Sequence, residues 1–258
     1  MRTAHARANQ GIAGRRLPED VGPHGRDTHG RDSDKEINER QLERYATDLR
    51  ETFIEERERT RQLRNSYVAT VRALTNAVEA RDAYTGKHAE RVAGYGLRLA
   101  AEVDERLAED PQTEFGFLLH DIGKVAVPDG VLHKRSPLTD EEQRLLERHP
   151  VTGFEILRHV EYLTGAKQVV LNHHERWDGS GYPNGLGGEA IPLSARVFAV
   201  ADALDAMTTD RPYRRGRALK EAREEIDRAA GSQFDPTIVE AFDRILDVDL
   251  EQIRNENA

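Results

Sequence analysis

Cysteine is absent from the 258 residues. Its absence excludes disulfide bonds, thiolate metal sites and a cysteine nucleophile, and it is compatible with a reducing compartment. Long apolar runs are lacking too, because the most apolar stretch, residues 197–207, is short and interrupted by Asp202 and Asp205. No apolar signal segment opens the sequence. We therefore expect a cytoplasmic protein without a membrane span.

Excess positive charge is also missing. The formal net charge is -9, although 33% of the residues are charged. A broad basic surface for a nucleic acid polymer is therefore not expected, and any nucleotide ligand must be recognised locally. The hydrophobic content of 37% suffices for one sizeable core in a chain of this length.

The N-terminal region divides into two segments. Residues 1–33 are rich in Arg, Gly, His and Pro without an apolar period, so we predict a disordered tail. Residues 34–66 lack Gly and Pro, and apolar positions such as Leu49 and Phe53 recur at heptad spacing. The same seam also passes through Glu56. This segment is therefore either a coiled coil that forms a homodimer or a solvated linker helix.

Residues 67–248 are predicted to form one all-α domain, followed by a tail at residues 249–258. Strand-like alternation is scarce there, whereas helical periods run between recognisable start and stop signals. Thr139 and Glu142, for example, have the spacing of a capping box. The predicted helices include residues 138–148, 193–209 and 218–229.

One long segment breaks the helical pattern. Residues 177–192 contain five glycines and connect two predicted helical regions. Loops of this length inside a compact domain are usually functional. We therefore expect this glycine loop to contribute to a binding site.

His120 and Asp121 come directly after the apolar run of residues 115–119. A histidine and a carboxylate that leave an apolar helix side by side need partners, because an unpaired buried charge is costly. A metal ion would supply such a partner. The alternative is a carboxylate that caps the helix end beside a core histidine.

A second pair of histidines, His173 and His174, precedes the glycine loop. Asp202 lies in another apolar helix and again requires a counter-charge, for which a salt bridge with Arg196 or a buried N-cap is the alternative to a metal. For the histidine pair the alternative is an ordinary exposed loop. Imidazole and carboxylate ligands together suit first-row transition metals. The remaining candidate ligands are His88 and His149.

These residues belong to motifs that follow one another in a fixed order. The motifs are His88 with Arg91-Val92, Leu119-His120-Asp121-Ile122-Gly123-Lys124, His149-Pro150, His173-His174-Glu175, Gly181-Tyr182-Pro183, Ala201-Asp202-Ala203, Asp210-Arg211-Pro212-Tyr213-Arg214 and Gln233-Phe234-Asp235-Pro236. In order and spacing they resemble the HD-GYP family of cyclic di-GMP phosphodiesterases. The resemblance covers roughly residues 67–246 and implies the helical domain of the HD superfamily.

The resemblance implies a metal-dependent hydrolase in second-messenger signalling. Two divalent ions, iron or manganese, would position the nucleophile and the phosphodiester of cyclic di-GMP. The implied metal ligands are His88, His120, Asp121, His149, His173, His174 and Asp202, with Asp121 bridging the ions. Tyr182 would contact the ligand, and Arg211 and Arg214 would hold its phosphates.

Lys124 is the candidate for a catalytic cation beside Asp121. It falls three and four residues after Asp121 and His120, hence on one face of a continuing helix. It would there stabilise the charge that develops on the phosphoryl oxygens. The alternative is a plain ion pair with Asp121.

One position departs from some members of the family. Where they carry a glutamate that helps to bind a third metal, this sequence has Tyr84, and Asp82 nearby is at most an indirect partner. We therefore expect two metals and the linear product pGpG. Two other functions stay open: a cyclic-dinucleotide binding module with negligible turnover, and a phosphohydrolase for another nucleotide.

The source of regulation is a separate question. Relatives often carry a receiver or sensory domain before such a helix, whereas only about 33 tail residues precede it in this sequence. Either the chain acts alone, or a separate regulatory protein acts on it, or an upstream domain is missing from this sequence.

Overall fold

The computed structural model describes residues 28–81, 87–210 and 215–257. Within these ranges the backbone is helical or irregular, and the β-type pairing consists of two isolated bridges, which confirms the predicted all-α fold. The α-helices are α1 (Thr28–Glu79), α2 (His88–Val103), α3 (Glu105–Glu109), α4 (Pro111–Leu119), α5 (Asp129–Leu132), α6 (Asp140–Leu146), α7 (His149–Leu157), α8 (Thr164–Asn172), α9 (Leu193–Thr208), α10 (Leu219–Arg228), α11 (Pro236–Asp243) and α12 (Asp247–Glu256). The 3-10 helices are Ile122–Ala126, Glu161–Leu163 and Gly188–Ala190.

The chain divides into two compact units, residues up to Thr60 and residues from Arg61 onward. In the first unit α1 begins at Thr28, six residues before the predicted start at residue 34. A single glycine, Gly30, costs a helix about 1 kcal/mol and does not by itself end it. Residues 1–27 of the predicted tail lie outside the described residues.

The hydrophobic core belongs to the second unit. In it α4 packs on α8, and α2 packs on both α4 and α9. Phe115, Phe117, Phe198, Leu99 and Leu204 are at most 1% exposed in this core. Each such side chain contributes about 1.5–3 kcal/mol when it is removed from water. The core thus fixes the ends of the four helices relative to one another.

The predicted capping box and two of the predicted helices are present in the structure. Thr139 caps α6 in a complete capping box with Glu142. Helices α9 and α10 match the predicted ranges 193–209 and 218–229 to within one residue at each end. None of the helices in the described part of the chain combines the length and hydropathy that crossing a bilayer requires.

Candidate metal centre

The seven predicted ligands come from the ends of four helices and the middle of a fifth. His88 begins α2, His120 and Asp121 follow α4, His149 begins α7, His173 and His174 follow α8, and Asp202 lies within α9. The structure brings all seven into one cluster. The ring centroids of His120 and His173 are 5.3 Å apart, and those of His88 and His120 are 5.4 Å apart.

Within the cluster the ligand atoms form two groups. The three-histidine group consists of His149, His173 and His174, and the mixed group consists of His88, His120 and Asp121. In each group the ligand atoms lie within 4.8 Å of one another. Asp121 touches both groups, because its Oδ2 is 3.1 Å from His120 Nε2 and its Oδ1 is 3.3 Å from His149 Nε2. One carboxylate therefore joins the two groups.

Three of the histidine rings are oriented by their own backbone. Each places Nδ1 against the carbonyl oxygen of the residue three positions earlier. The pairs are His120 with Phe117 at 2.9 Å, His149 with Leu146 at 2.8 Å and His173 with Val170 at 2.9 Å. A carbonyl oxygen only accepts, so Nδ1 carries a proton in each ring, and in a neutral ring Nε2 keeps a lone pair directed at the centre.

This tautomer makes the contact between His149 and His173 informative. Their Nε2 atoms are 3.1 Å apart, although both already donate through Nδ1. Two lone pairs at this distance repel each other unless a cation lies near both. Neutral imidazoles and a carboxylate are also the ligands that first-row transition metals accept. The residues present therefore fit a metal centre.

His88 is oriented by side chains instead. Its Nδ1 donates to Asp205 Oδ2 at 2.7 Å, which turns Nε2 toward Asp202 Oδ1 at 3.4 Å. Asp205 is held in turn by Arg91, whose Nε and Nη2 donate to its two oxygens at 2.6 and 3.1 Å. Arg196 pairs with Asp235 at 2.6 Å, so the alternative partner considered for Asp202 is engaged elsewhere.

Sequence reasoning assigned no role to Asp205 and Arg91. A signal was present, because Asp205 lies three residues after Asp202 and Arg91 three residues after His88. Residues at this spacing share a helix face with the ligand. Asp205 is 2% exposed and Arg91 7% exposed, so this ion pair is part of the buried support of the centre.

Charge differs between the two groups. Burial lowers the pKa of His149 and holds the pKa of His173 well below its ordinary value, with the neighbouring histidines adding to the effect. Burial likewise lowers the pKa of His174 to about 3. The three-histidine group is therefore uncharged near neutral pH, as metal ligation requires.

The mixed group has the opposite tendency. Burial works against the charge of His88, but its hydrogen bond to Asp205 and the charge of Asp202 raise the pKa above its ordinary value. Burial also opposes ionisation of Asp121, yet the neighbouring His120 and Lys124 hold its pKa well below the usual range. Asp121 is therefore a carboxylate at neutral pH.

Lys124 reaches Asp121 by a different route from the one predicted. Helix α4 ends at Leu119, and Lys124 lies in the 3-10 helix Ile122–Ala126 rather than on a continuing α-helix. At Gly123 this turn lies so close to α7 that an added Cβ would be 1.9 Å from the carbonyl oxygen of His149. The tighter turn permits that approach to α7. Lys124 Nζ is 2.8 Å from Asp121 Oδ2.

The glycine loop begins at the three-histidine group. The ring of Tyr182 stacks on His174 with centroids 4.7 Å apart. Glu175, which is 4% exposed, accepts hydrogen bonds from the backbone N–H groups of Asn184 and Leu186 at 2.7 and 2.9 Å. Gly181 lies so close to residues 174–176 that an added Cβ would be 2.4 Å from a backbone nitrogen. Glu175 and Gly181 together hold Tyr182 over His174.

A cavity of about 380 Å³ opens onto both groups. Its lining includes His88, Asp121, His149, His174, Lys124 and Tyr182. Ligand atoms of both groups, a cation and an aromatic ring thus face one space. Arg211, Arg214, Tyr84 and Asp82 lie outside the described residues.

The family model described as HD domain matches residues 72–238. The chain therefore belongs to the HD domain family, which confirms the family predicted from the sequence. A solved structure of a cyclic GMP-AMP-specific phosphodiesterase from Vibrio cholerae superposes with a TM-score of 0.52 at 19% identity. The superposed region covers 72% of this chain and 53% of the solved chain, and the similarity supports the fold.

Two curated relatives are more similar in sequence. A cyclic di-GMP phosphodiesterase of Thermotoga maritima is 42% identical over 166 residues, which cover 64% of this chain and 45% of the relative. The 3'3'-cGAMP-specific phosphodiesterase 2 of Vibrio cholerae is 39% identical over 207 residues, which cover 80% of this chain and 40% of the relative. The chain spans less than half the length of either relative.

Proposed function

We propose that this chain is a metal-dependent phosphodiesterase that hydrolyses cyclic di-GMP in second-messenger signalling. The observation that carries the proposal is the pair of ligand groups joined by Asp121 at the base of one cavity. A single ion needs only one such group. Two groups that share a carboxylate are the arrangement for two ions acting on one phosphodiester.

The metals would be two divalent ions, iron or manganese. The ligands would be His149, His173 and His174 on one side, and His88, His120 and Asp202 on the other, with Asp121 between them. When bound, such ions polarise a phosphodiester and lower the pKa of water. Iron and manganese fit the mixture of imidazole and carboxylate better than magnesium does, because magnesium prefers oxygen ligands.

The chain's own residues bind and orient the substrate. Lys124 Nζ lies beside the carboxylate of Asp121 and lines the cavity, where it places a positive charge. That charge would stabilise a phosphoryl oxygen as negative charge accumulates on it. Tyr182, fixed over His174, offers a flat ring for a ligand base or ribose. Arg211 and Arg214 remain predicted phosphate-binding residues.

The substrate class follows from the relatives. One acts on cyclic di-GMP and the other on 3'3'-cGAMP, according to their names. Cyclic di-GMP is proposed first, and 3'3'-cGAMP is the second candidate because that relative matches the larger share of this chain. The predicted product is linear pGpG, because position 84 holds a tyrosine where some family members have a glutamate that helps to bind a third metal.

The assay is anaerobic incubation of the full chain with Mn²⁺ or Fe²⁺ and each cyclic dinucleotide, with products separated by chromatography and metals counted by elemental analysis. Formation of pGpG with about two ions per chain supports the proposal. Two ions and tight ligand binding without product would instead favour the binding module. Faster turnover of 3'3'-cGAMP than of cyclic di-GMP would make 3'3'-cGAMP the first candidate substrate.

We also propose a homodimer formed through α1. Large apolar side chains on this helix are exposed, among them Leu49 at 72% and Phe53 at 61%. A polar helix of this length rarely persists alone in water. Light scattering should give the mass of a dimer for the full chain and the mass of a monomer for a chain that begins at Tyr67. A monomer mass for the full chain would contradict the dimer. A separate regulatory protein and a cytoplasmic location remain predictions.

A further inference from the structure

The C-terminal end of α1 contacts the helix that leads to His120 and Asp121. Thr75, which is 6% exposed, donates its hydroxyl hydrogen to the carbonyl oxygen of Leu118 at 3.0 Å. Leu118 lies in the last turn of α4, two residues before His120. The last carbonyls of a helix lack partners within it, and this bond satisfies one of them in α4.

One turn further along α1, Glu79 contacts the helix that carries His88. Its Oε1 accepts a hydrogen bond from the backbone N–H of Ala89 at 2.8 Å. Helix α2 begins at His88, and its own N-cap residue, Lys87, makes no side-chain cap. Glu79 therefore supplies the hydrogen-bond acceptor for the first turn of α2.

Arg81, two residues after α1 ends, contacts the segment that carries Lys124. Its guanidinium donates to the carbonyl oxygens of Val125 and Val127 at 2.6 and 3.3 Å, and to Asp129 Oδ1 at 2.6 Å. Val125 belongs to the 3-10 helix Ile122–Ala126, and Val127 follows it. Arg81 thus closes the end of the turn that presents Lys124 to Asp121.

We propose that Thr75, Glu79 and Arg81 are positioning residues that make the end of α1 a structural part of the metal centre. The inference rests on the proposed function. Three side chains within seven consecutive residues hold the segments of His88, of His120 with Asp121, and of Lys124. Helical geometry fixes the spacing of Thr75 and Glu79 at about 1.5 Å per residue. The end of α1 therefore sets the distances between these three segments, which belong to different helices.

The test uses the full chain and two matched pairs of variants. Thr75→Val removes the hydroxyl at nearly constant volume, and Thr75→Ser keeps it. Arg81→Ala removes all three hydrogen bonds, and Arg81→Lys keeps the charge. Asn76→Ala, at an exposed position one residue from Thr75, is the control. Binding of Mn²⁺ is measured by elemental analysis in metal-buffered solution, together with kcat and KM for cyclic di-GMP and thermal unfolding by circular dichroism.

We expect Thr75→Val and Arg81→Ala to weaken Mn²⁺ binding and to lower kcat by about 10–100-fold, as loss of indirect ligand support does. The KM should change by less than about threefold, because neither side chain lines the cavity. Thr75→Ser should restore both quantities, and Asn76→Ala should match the wild type.

Wild-type Mn²⁺ affinity in Thr75→Val and Arg81→Ala overturns the inference, even if both variants unfold at lower temperature. If Arg81→Ala does not fold, the Thr75 pair decides alone. A wild type that binds Mn²⁺ but hydrolyses nothing overturns the proposed function instead, and the Mn²⁺ affinities still decide the role of α1.

Discussion

The two ligand groups of the centre are held in different ways. In the three-histidine group, His149 and His173 are oriented by carbonyl oxygens three residues earlier in the chain. In the mixed group, His120 is held in the same local way by Phe117, but His88 is oriented by Asp205, which is 117 residues away in sequence. The first arrangement is local and uncharged, whereas the second depends on a buried ion pair between two helices. The two groups should therefore fail under different perturbations.

The largest effect is expected from Asp121→Ala, because its two oxygens serve both groups. Both ions should be lost, and hydrolysis should fall by roughly 1,000-fold or more, since a two-metal mechanism needs both. His174→Ala should instead reduce mainly the ion of the three-histidine group. Elemental analysis distinguishes about two, one and zero ions per chain.

Asp140→Ala, a change at an exposed position of α6, is the control for this pair. Equal metal content in Asp121→Ala and His174→Ala would mean that the two groups are not separate sites joined by Asp121.

A smaller effect is expected from Asp205→Asn, which breaks the support of the mixed group. Removal of one partner of a buried ion pair costs about 3–5 kcal/mol, because it leaves Arg91 buried without its carboxylate. Metal affinity should also fall by about 10–100-fold as His88 loses its orientation. Thermal unfolding and metal titration measure the two effects.

Asp202→Asn tests the loss of a ligand without the loss of a buried ion pair. Asp202 is more exposed than Asp205, and its described partner is His88. It should lose metal with little loss of stability. An Asp205→Asn variant with unchanged unfolding temperature would contradict the structural role of the ion pair.

The smallest effect is a difference in pH dependence of the metal-free chain. The pKa values of His149, His173 and His174 are lowered on folding. Below about pH 6.5 the unfolded chain binds protons that the folded chain excludes, so the free energy of unfolding falls as the pH drops. Each histidine contributes at most about 1.4 kcal/mol per pH unit.

His88 has the opposite sign, because its pKa is raised on folding. Its contribution is fully present below its unfolded pKa and is lost as the pH rises through its folded pKa. Denaturant titrations at several pH values from about 5 to about 7 cover the ordinary pKa of histidine. The free energy of unfolding should depend less steeply on pH in His174→Asn than in the wild type. The exposed His159→Asn variant is the matched control, and equal slopes for the wild type and His174→Asn would refute the burial argument.

Local sequence signals predicted much of the fold. The capping box of Thr139 and Glu142 is determined within a few residues of the chain, and the structure has it. Pro192 directly precedes α9, and Gly231 follows α10 with a positive φ. Helix boundaries that depend on neighbours were less predictable. After α4 ends, the 3-10 turn at Lys124 brings Gly123 against the backbone of His149, which lies 26 residues further along the chain.

The sequence by itself determined which residues are candidate ligands. Apolar helical runs beside His120, Asp121 and Asp202 indicate that these side chains need partners, and the resemblance to the HD-GYP family implies the full set of seven. Tertiary structure alone decided how these ligands divide into two groups and which side chains hold them. The support of His88 by Asp205 and Arg91, and the contacts from the end of α1, join segments that are distant in sequence. A helix-face pattern can place Asp205 and Arg91 beside the ligands of their own helices, but these contacts form only when packing of α2, α4 and α9 has fixed the backbone.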